Sequence, residues 1–196
     1  MNLRKEGLIF KKMSFRFDQP TTLDLSIIIV SFNTRDILIN CIRSVYSFTK
    51  NIDFEIIVVD NHSMDGSPDH VTKIFPDLHL IRNSTNRGFS AANNQAVAIS
   101  KGRYAVLLNS DTLLVENCFH KIIQFMDIHP EYSICTPQVV NSNHEVYPMR
   151  LWQDTPQDAI RRILGKYDLV WDRKKMTNWD TQEVETIGGS CFVVRR

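Results

Sequence analysis

The sequence predicts an α/β protein with a mostly parallel central sheet and flanking helices. Three observations predict it. Short, uncharged, largely β-branched runs recur at 25–31 (LSIIIVS), 54–60 (FEIIVVD, with acids only near its ends) and 104–108 (YAVLL). Apolar runs without alternation suit strands covered on both faces, as in parallel sheets. Stretches with apolar residues at helical spacing lie between them, so strand and helix alternate from residue 25 to 128. Right-handed βαβ units build a parallel sheet in this way. Finally, each run stops abruptly in polar residues: Ser31-Phe32-Asn33-Thr34, Asp60-Asn61-His62-Ser63 and Asn109-Ser110-Asp111.

Residues 1–22 have no clean periodicity and read as an N-terminal extension. After the first strand, Ile37, Leu38, Cys41, Ile42, Val45 and Tyr46 form one helical stripe, with Asn33 or Thr34 as the N-cap. After the second, Ser67 is the expected N-cap and Pro68 the first helical residue, with Val71, Ile74 and Phe75 facing inward. A third short strand is expected at Leu78 to Arg82. Ser90 then caps a helix running to about Ser100 and closed by Gly102. That helix carries Asn93-Asn94-Gln95, a run with poor helix propensity. Beyond the 104–108 strand, a helix from about Glu116 to Ile128 turns Phe119, Ile122, Ile123 and Met126 inward, and Tyr132 to Val140 reads as another strand.

Residues 141–155 read as a loop. Thr155-Pro156 then starts a helix with Ile160, Ile163, Leu164 and Tyr167 on one side. Arg161, Arg162 and Lys166 lie along it, followed by Arg173, Lys174 and Lys175. They make either a solvated basic face or a contact for an anionic partner such as a phospholipid surface, that is, peripheral membrane contact. Ile187-Gly188-Gly189-Ser190 precedes a last strand, CFVVRR.

Composition excludes several classes. At 196 residues, 43% hydrophobic and 23% charged, the chain has the make-up of a single globular domain able to bury a core. A net charge of +1 gives no global field to attract nucleic acid. The four cysteines are widely spaced, without a CxxC pair, which fits a reducing cytoplasm rather than a zinc site or disulfide framework. No apolar run is long enough to span a bilayer.

Ligands of open α/β sheets gather outside the carboxyl ends of the strands, and here three polar ends meet on one rim. The chain has neither a GxGxxG turn nor a GxxxxGK[ST] loop, so a phosphate must be held another way. Asp111, carried to the rim by a rigid strand, is placed to hold Mg2+ or Mn2+, because magnesium often uses few protein carboxylates together with substrate phosphates. The plainer alternative is that Asn109 and Asp111 only make the turn out of the strand.

SIIIVSFNT, IIVVDNHSMDGS, NRGFSAANNQA, YAVLLNSDT and GGSCFVVRR, in that order, resemble the family 2 glycosyltransferases of the GT-A fold, in particular their rhamnosyltransferase-like branch. The resemblance runs from about Leu25 to Arg196 and is weaker over 141–186. It implies an inverting transfer of a sugar from a nucleotide-diphosphate donor of the dTDP or UDP type. The acceptor would be a saccharide or a lipid-linked molecule, in surface polysaccharide synthesis at the inner face of the membrane.

It also implies roles for single residues. Ser31 and Asn33 line the nucleotide pocket, and Asp60 accepts a hydrogen bond from the N3–H of uracil or thymine. Arg87 and Gly88 form the loop that closes on the nucleotide, and Asn93 lies near the donor; Asp65 reads as a loop or helix-cap residue. Asn109-Ser110-Asp111 corresponds to the metal-binding Asp-x-Asp motif with Asn in its first place, which leaves Asp111 as the main ligand. Gly188 and Gly189 let the backbone approach the sugar closely. The general base of the family follows the Gly-Gly strand in an acidic motif, and is therefore expected beyond Arg196.

On this reading residues 23–140 are the nucleotide-sugar-binding half and 141–196 the start of an acceptor-side half, incomplete at its C-terminus. Two alternatives compete with an active transferase. One is a nucleotide-sugar-binding remnant without turnover. The other is a nucleotidyltransferase, which would carry a Gly-rich loop after the first strand where this chain has SFNTRD.

Overall fold

The computed structural model describes residues 23–143 and 188–196. The expected N-terminal extension and the basic helix starting at Thr155 lie outside the described residues, as does all but the first part of the 141–155 loop. Strands and helices follow the order β1 (Leu23–Ser31), α1 (Arg35–Phe48), β2 (Phe54–Asp60), α2 (Ser67–Ile74), β3 (His79–Arg82), α3 (Phe89–Ile99), β4 (Gly102–Asn109), α4 (Cys118–Ile128), β5 (Ile134–Cys135) and β6 (Cys191–Arg195).

The sheet has six strands in the order β3-β2-β1-β4-β6-β5. β1 to β4 are mutually parallel, and β6 runs antiparallel between β4 and β5. The expected mostly parallel α/β sheet is therefore present. Its core explains why the strands lack alternation: Leu25, Ile27 and Ile29 face one side, packed with α1, α2 and α4, while Ile28 joins Ala92 and Ala96 of α3 on the other. Ala92 and Ala96 are small enough to bring α3 close to Ile28, Ile57 and Val59.

Several boundaries differ from those expected. In α1, Ile39 turns inward and Ile37 is half exposed, so the buried stripe is Leu38, Ile39, Cys41, Ile42 and Val45. Ile74 of α2 is likewise exposed, and Val71 supplies the buried contact. Gly66 holds the N-cap position of α2 and Gly88 that of α3, in place of Ser67 and Ser90. α3 stops at Ile99, and Gly102 opens β4 instead of closing the helix. α4 begins two residues later than expected, at Cys118. The strand expected from Tyr132 to Val140 shrinks to Ile134–Cys135, ahead of Pro137, which has no N–H to give a sheet ladder.

At the amino ends of the strands an ion-paired knot ties the last strand to the sheet. Arg103 pairs with Asp24 at 3.0 Å and with both oxygens of Asp127 at 2.6 and 2.9 Å. The Tyr104 hydroxyl donates to Asp127 and accepts from Arg195, whose guanidinium also donates to the Met126 and His129 carbonyls at the end of α4. The Arg103 hydrogen bonds hold the Asp127 carboxyl below the usual carboxylate range.

Candidate functional site

The chain leaves β1 for β2 and β3 on one side and returns to β4 on the other, so the sheet has its topological switch between β1 and β4. Crevices open at the carboxyl ends of strands at such a point. Register fixes what meets there: Ser31 pairs with Asp60 across β1 and β2, and Val30 pairs with Asn109 across β1 and β4. With one strand between them, Asp60 and the Ser110-Asp111 turn stand about 10 Å apart on one rim.

The loop after β1 is fastened to both neighbours. Asn33 adopts a left-handed conformation (φ 54°), in which its N–H donates to Ser63 Oγ at 2.9 Å and its Oδ1 accepts the Met64 N–H at 2.8 Å. The hydroxyls of Ser31 and Thr34 lie 2.9 Å apart, and Thr34 donates onward to Ser110 Oγ at 3.4 Å. A chain of small hydroxyls thus runs from β1 to the turn after β4.

Asp60 is 3% exposed. Its Oδ2 accepts the Ser63 N–H at 3.1 Å, whereas Oδ1 is buried and has no partner among the described residues. A buried acceptor left unpaired costs free energy comparable to a lost hydrogen bond, and such atoms in folded proteins call for an explanation.

Asp65 caps two helices at once. Its Oδ2 accepts the Arg35 N–H at the start of α1 (2.9 Å), and its Oδ1 accepts the Ser67 N–H (3.0 Å) and hydroxyl at the start of α2. No residue adjoining α1 caps it with a side chain. Burial pushes the Asp65 carboxyl up, but the hydrogen bonds from Ser67 and Arg35 outweigh it and hold the group below its ordinary value of 3.8. A carboxyl depressed on folding stabilises above its unfolded pKa, and that gain is lost as pH falls through the folded value. Asp65→Ala is therefore expected to cost about 1 kcal/mol or more near pH 7. In urea titrations the gap to wild type narrows as the pH falls below about 4; a pH-independent gap would exclude the caps as its source.

Asp111 is exposed and, among the described residues, pairs with no other side chain; its turn is closed by the Thr112 N–H on the Asn109 carbonyl at 3.1 Å. Beneath it, the Cys41 thiol donates to the Asn109 carbonyl at 3.7 Å. Burial first and the Asp111 charge second push this thiol up to about 12, so Cys41 is a neutral packing group and not a nucleophile. Among the described residues no three His, Cys, Asp or Glu side chains gather as a ready-made metal cage. One open carboxylate fits the sparse protein ligation of a cation that draws its remaining ligands from phosphates and water.

Gly188 and Gly189 reach the same rim through the start of β6, because the Ser190 carbonyl accepts the Asn109 N–H at 2.9 Å. A Cβ on Gly189 would meet none of the described residues within 4 Å, so their packing does not demand glycine there. Arg87 and Gly88 arrive from the far side of β2. The Asn61 side chain holds their loop: its Oδ1 accepts the Arg87 N–H at 2.9 Å and the Asn83 amide at 3.2 Å, and its Nδ2 donates to Asn86 Oδ1 at 2.8 Å. Asn93 lies one turn inside α3, buried, with its amide donating to the Phe89 carbonyl at 3.0 Å. Gln95 of the same amide run is structural, exchanging hydrogen bonds with Asn83.

The sequence-derived residues therefore share one end of the sheet. Thr34 was expected only as an N-cap and Asn61 and Ser63 only as part of a polar strand end, while Asn86 was not anticipated. Asn83 and Asn86, two amides shortly before the Asn93-Asn94-Gln95 run, were the signal in the sequence that could have pointed to Asn86 and its partner Asn61.

The profile described as Glycosyl transferase family 2 matches residues 26–196. Over 105 residues the chain is 37% identical to UDP-Glc:alpha-D-GlcNAc-diphosphoundecaprenol beta-1,3-glucosyltransferase WfaP of Escherichia coli, covering 53% of this chain and 41% of that protein. Over 107 residues it is 34% identical to poly(ribitol-phosphate) beta-N-acetylglucosaminyltransferase TarP of Staphylococcus aureus, covering 52% and 32%. This chain thus covers well under half the length of these relatives. Among solved structures, S. aureus TarS 1-349 superimposes with a TM-score of 0.57 at 20% identity, over 65% of this chain and 39% of that one. The mannosyltransferase PcManGT of Pyrobaculum calidifontis, in complex with GDP-Man and Mn2+, does so with a TM-score of 0.52 at 23% identity, over 61% and 38%. Identities this low speak for the fold alone.

Proposed function

Because this chain belongs to glycosyl transferase family 2 and has the GT-A fold, we propose that it binds a nucleotide-diphosphate sugar at the carboxyl rim of β1, β2 and β4 and serves its transfer to an acceptor hydroxyl in the synthesis of a cell-surface glycan. The observation that carries this reading is the unpaired, buried Oδ1 of Asp60 beside the Ser31–Asn33 loop. A pyrimidine ring with an N3–H, as in uracil or thymine, supplies the donor this oxygen lacks; at the equivalent ring position adenine presents N1, an acceptor, and its donor on that edge is the displaced exocyclic amine. Arg87 and Gly88 close over the nucleotide, and Asn93 faces the donor from α3.

Asp111, assisted by the Asn109 turn, would hold Mg2+ or Mn2+ against the diphosphate. When bound, that ion supplies Lewis-acid neutralisation of the charge growing on the departing diphosphate. PcManGT, solved with GDP-Man and Mn2+, supports divalent-ion use in the fold. Gly188 and Gly189, with open space at Gly189, leave room for the sugar beside Asn109. The acceptor hydroxyl attacks the anomeric carbon from the side opposite the diphosphate and inverts it, and a carboxylate base takes its proton. None of the described residues is assigned that task.

WfaP is named for UDP-glucose and TarP for N-acetylglucosamine transfer, which favours a UDP-linked hexose over the rhamnose suggested by the sequence branch. Both act on phosphate-linked acceptors according to their names, which supports a lipid-linked or polymer-linked saccharide acceptor here. Among the described residues no helix is long and apolar enough to cross a membrane.

Titration calorimetry with uridine, thymidine and adenosine diphosphates tests the pyrimidine site. Wild type is expected to prefer the pyrimidine nucleotides. Asp60→Asn, which keeps an acceptor for Ser63 but turns an amide toward the ring, is expected to reduce that preference roughly tenfold. Equal affinity for adenosine diphosphate in the wild type would exclude the assignment. Adding a labelled donor then separates transfer or hydrolysis from binding without turnover.

A further inference from the structure

The loop carrying Arg87 and Gly88 is exposed between β3 and α3. Its side-chain contacts include a set of amide hydrogen bonds centred on Asn61, a residue 3% exposed at the end of β2, while Gln95 of α3 holds Asn83 at the start of the loop. Asn61 spends both ends of its side chain on this loop, taking the Arg87 N–H and the Asn83 amide at Oδ1 and giving Nδ2 to Asn86. Asn86 Oδ1 also accepts the Gly88 N–H at 2.9 Å, and the Asn83 N–H donates to the Asp60 carbonyl at 2.9 Å. Gly88 sits at φ 79° and ψ 164°, a conformation that L side chains rarely adopt, directly before the first turn of α3. Two side-chain oxygens, on Asn61 and Asn86, therefore fix the backbone N–H groups of both Arg87 and Gly88. Asn61 follows Asp60 directly, so the base-contacting carboxylate and the anchor of the closing loop ride on the same strand end.

We propose that Asn61 and Asn86 are positioning residues that hold the Arg87–Gly88 loop in its donor-competent conformation. They work through the loop backbone and do not touch the ligand. The inference rests on the nucleotide-site reading above. Its physical content is a population: with the two anchors in place the loop is mostly in the competent form, and without them it samples others, so apparent affinity falls by the competent fraction.

Asn86 gives a clean test, because it is exposed and bonds through Oδ1 alone to Asn61 and Gly88. Asn86→Asp keeps an oxygen for both donors, whereas Asn86→Ala removes it. Uridine diphosphate titrations with Mn2+ are expected to show roughly tenfold weaker binding for Asn86→Ala and near wild-type binding for Asn86→Asp, with equal melting temperatures for the two. Asn61→Ala is expected to weaken binding at least as much as Asn86→Ala, and to leave any residual affinity dependent on Mn2+. A wild type that binds while Asn86→Ala matches it within twofold overturns the positioning role. Equal loss in Asn86→Ala and Asn86→Asp overturns it too. A wild type that binds no uridine diphosphate overturns the nucleotide-site reading itself, which separates the two failures.

Discussion

Asp111→Ala is expected to weaken Mn2+-supported binding of uridine diphosphate by roughly a hundredfold or more while leaving the fold intact. The structural half of this expectation follows from exposure: the carboxylate pairs with no described side chain, and such surface substitutions usually stay within about 0.5 kcal/mol. The functional half follows from charge. A divalent ion contributes several kcal/mol of charge stabilisation at a phosphoryl group, and each 1.4 kcal/mol corresponds to a tenfold change in affinity. Because no cage of other acids stands nearby among the described residues, loss of this one carboxylate has no local substitute. Calorimetry with and without a chelator checks it: chelation should collapse wild-type binding to the level of the variant and leave the variant unchanged. Metal-independent binding that survives the substitution would remove Asp111 from the site.

The second large effect is on stability. Gly102→Ala is expected to destabilise the fold by about 3 kcal/mol or more, above the usual cost of overpacking. A Cβ at Gly102 would lie 2.4 Å from the Ser26 nitrogen, 2.5 Å from the Leu25 carbonyl carbon and 2.7 Å from the Tyr104 oxygen. All three are backbone atoms, so no side-chain rotation relieves the clash. Relief requires β1 and β4 to part where the Gly102 N–H donates to the buried Ser26 hydroxyl at 2.8 Å. For a chain of this size the melting temperature is expected to fall by roughly 6–12 °C, read by thermal unfolding. An unchanged melting temperature would mean that these two strands meet in another register.

The two effects lie at opposite ends of β4, and the ends differed in how far the sequence revealed them. The strands were legible because their apolar runs are continuous: FEIIVVD became β2 residue for residue, and the polar stops after Ser31, Asp60 and Asn109 became the rim. Capping was less legible. Ser67 and Ser90 look like caps by local rule, yet the donor-rich starts of α1 and α2 share Asp65, which lies 30 residues from Arg35. A propensity argument sees only neighbours. Gly102 was misread for the same reason: a glycine after a helix is usually a stop, and only β1, far away in sequence, shows that its missing side chain makes space for a backbone. The strand expected from Tyr132 to Val140 shortened to Ile134–Cys135 ahead of Pro137, a local signal masked by the apolar residues around it. Asn61 illustrates the harder limit. Next to Asp60 it passes for a turn former, and its partners lie 22 to 26 residues downstream.

The antiparallel β6 sets the order in which the rim can be completed. During synthesis β4 leaves the ribosome long before the strand that covers it, since Ser190, which contacts Thr112, lies 78 positions later. Until then β4 is an open edge, a template for pairing with a neighbouring nascent chain. The Asn109 N–H meanwhile waits for its Ser190 acceptor. The turn that presents Asp111 is thus locked only after β6 has been made, and competence to hold a ligand there waits on a strand distant in sequence from the turn itself.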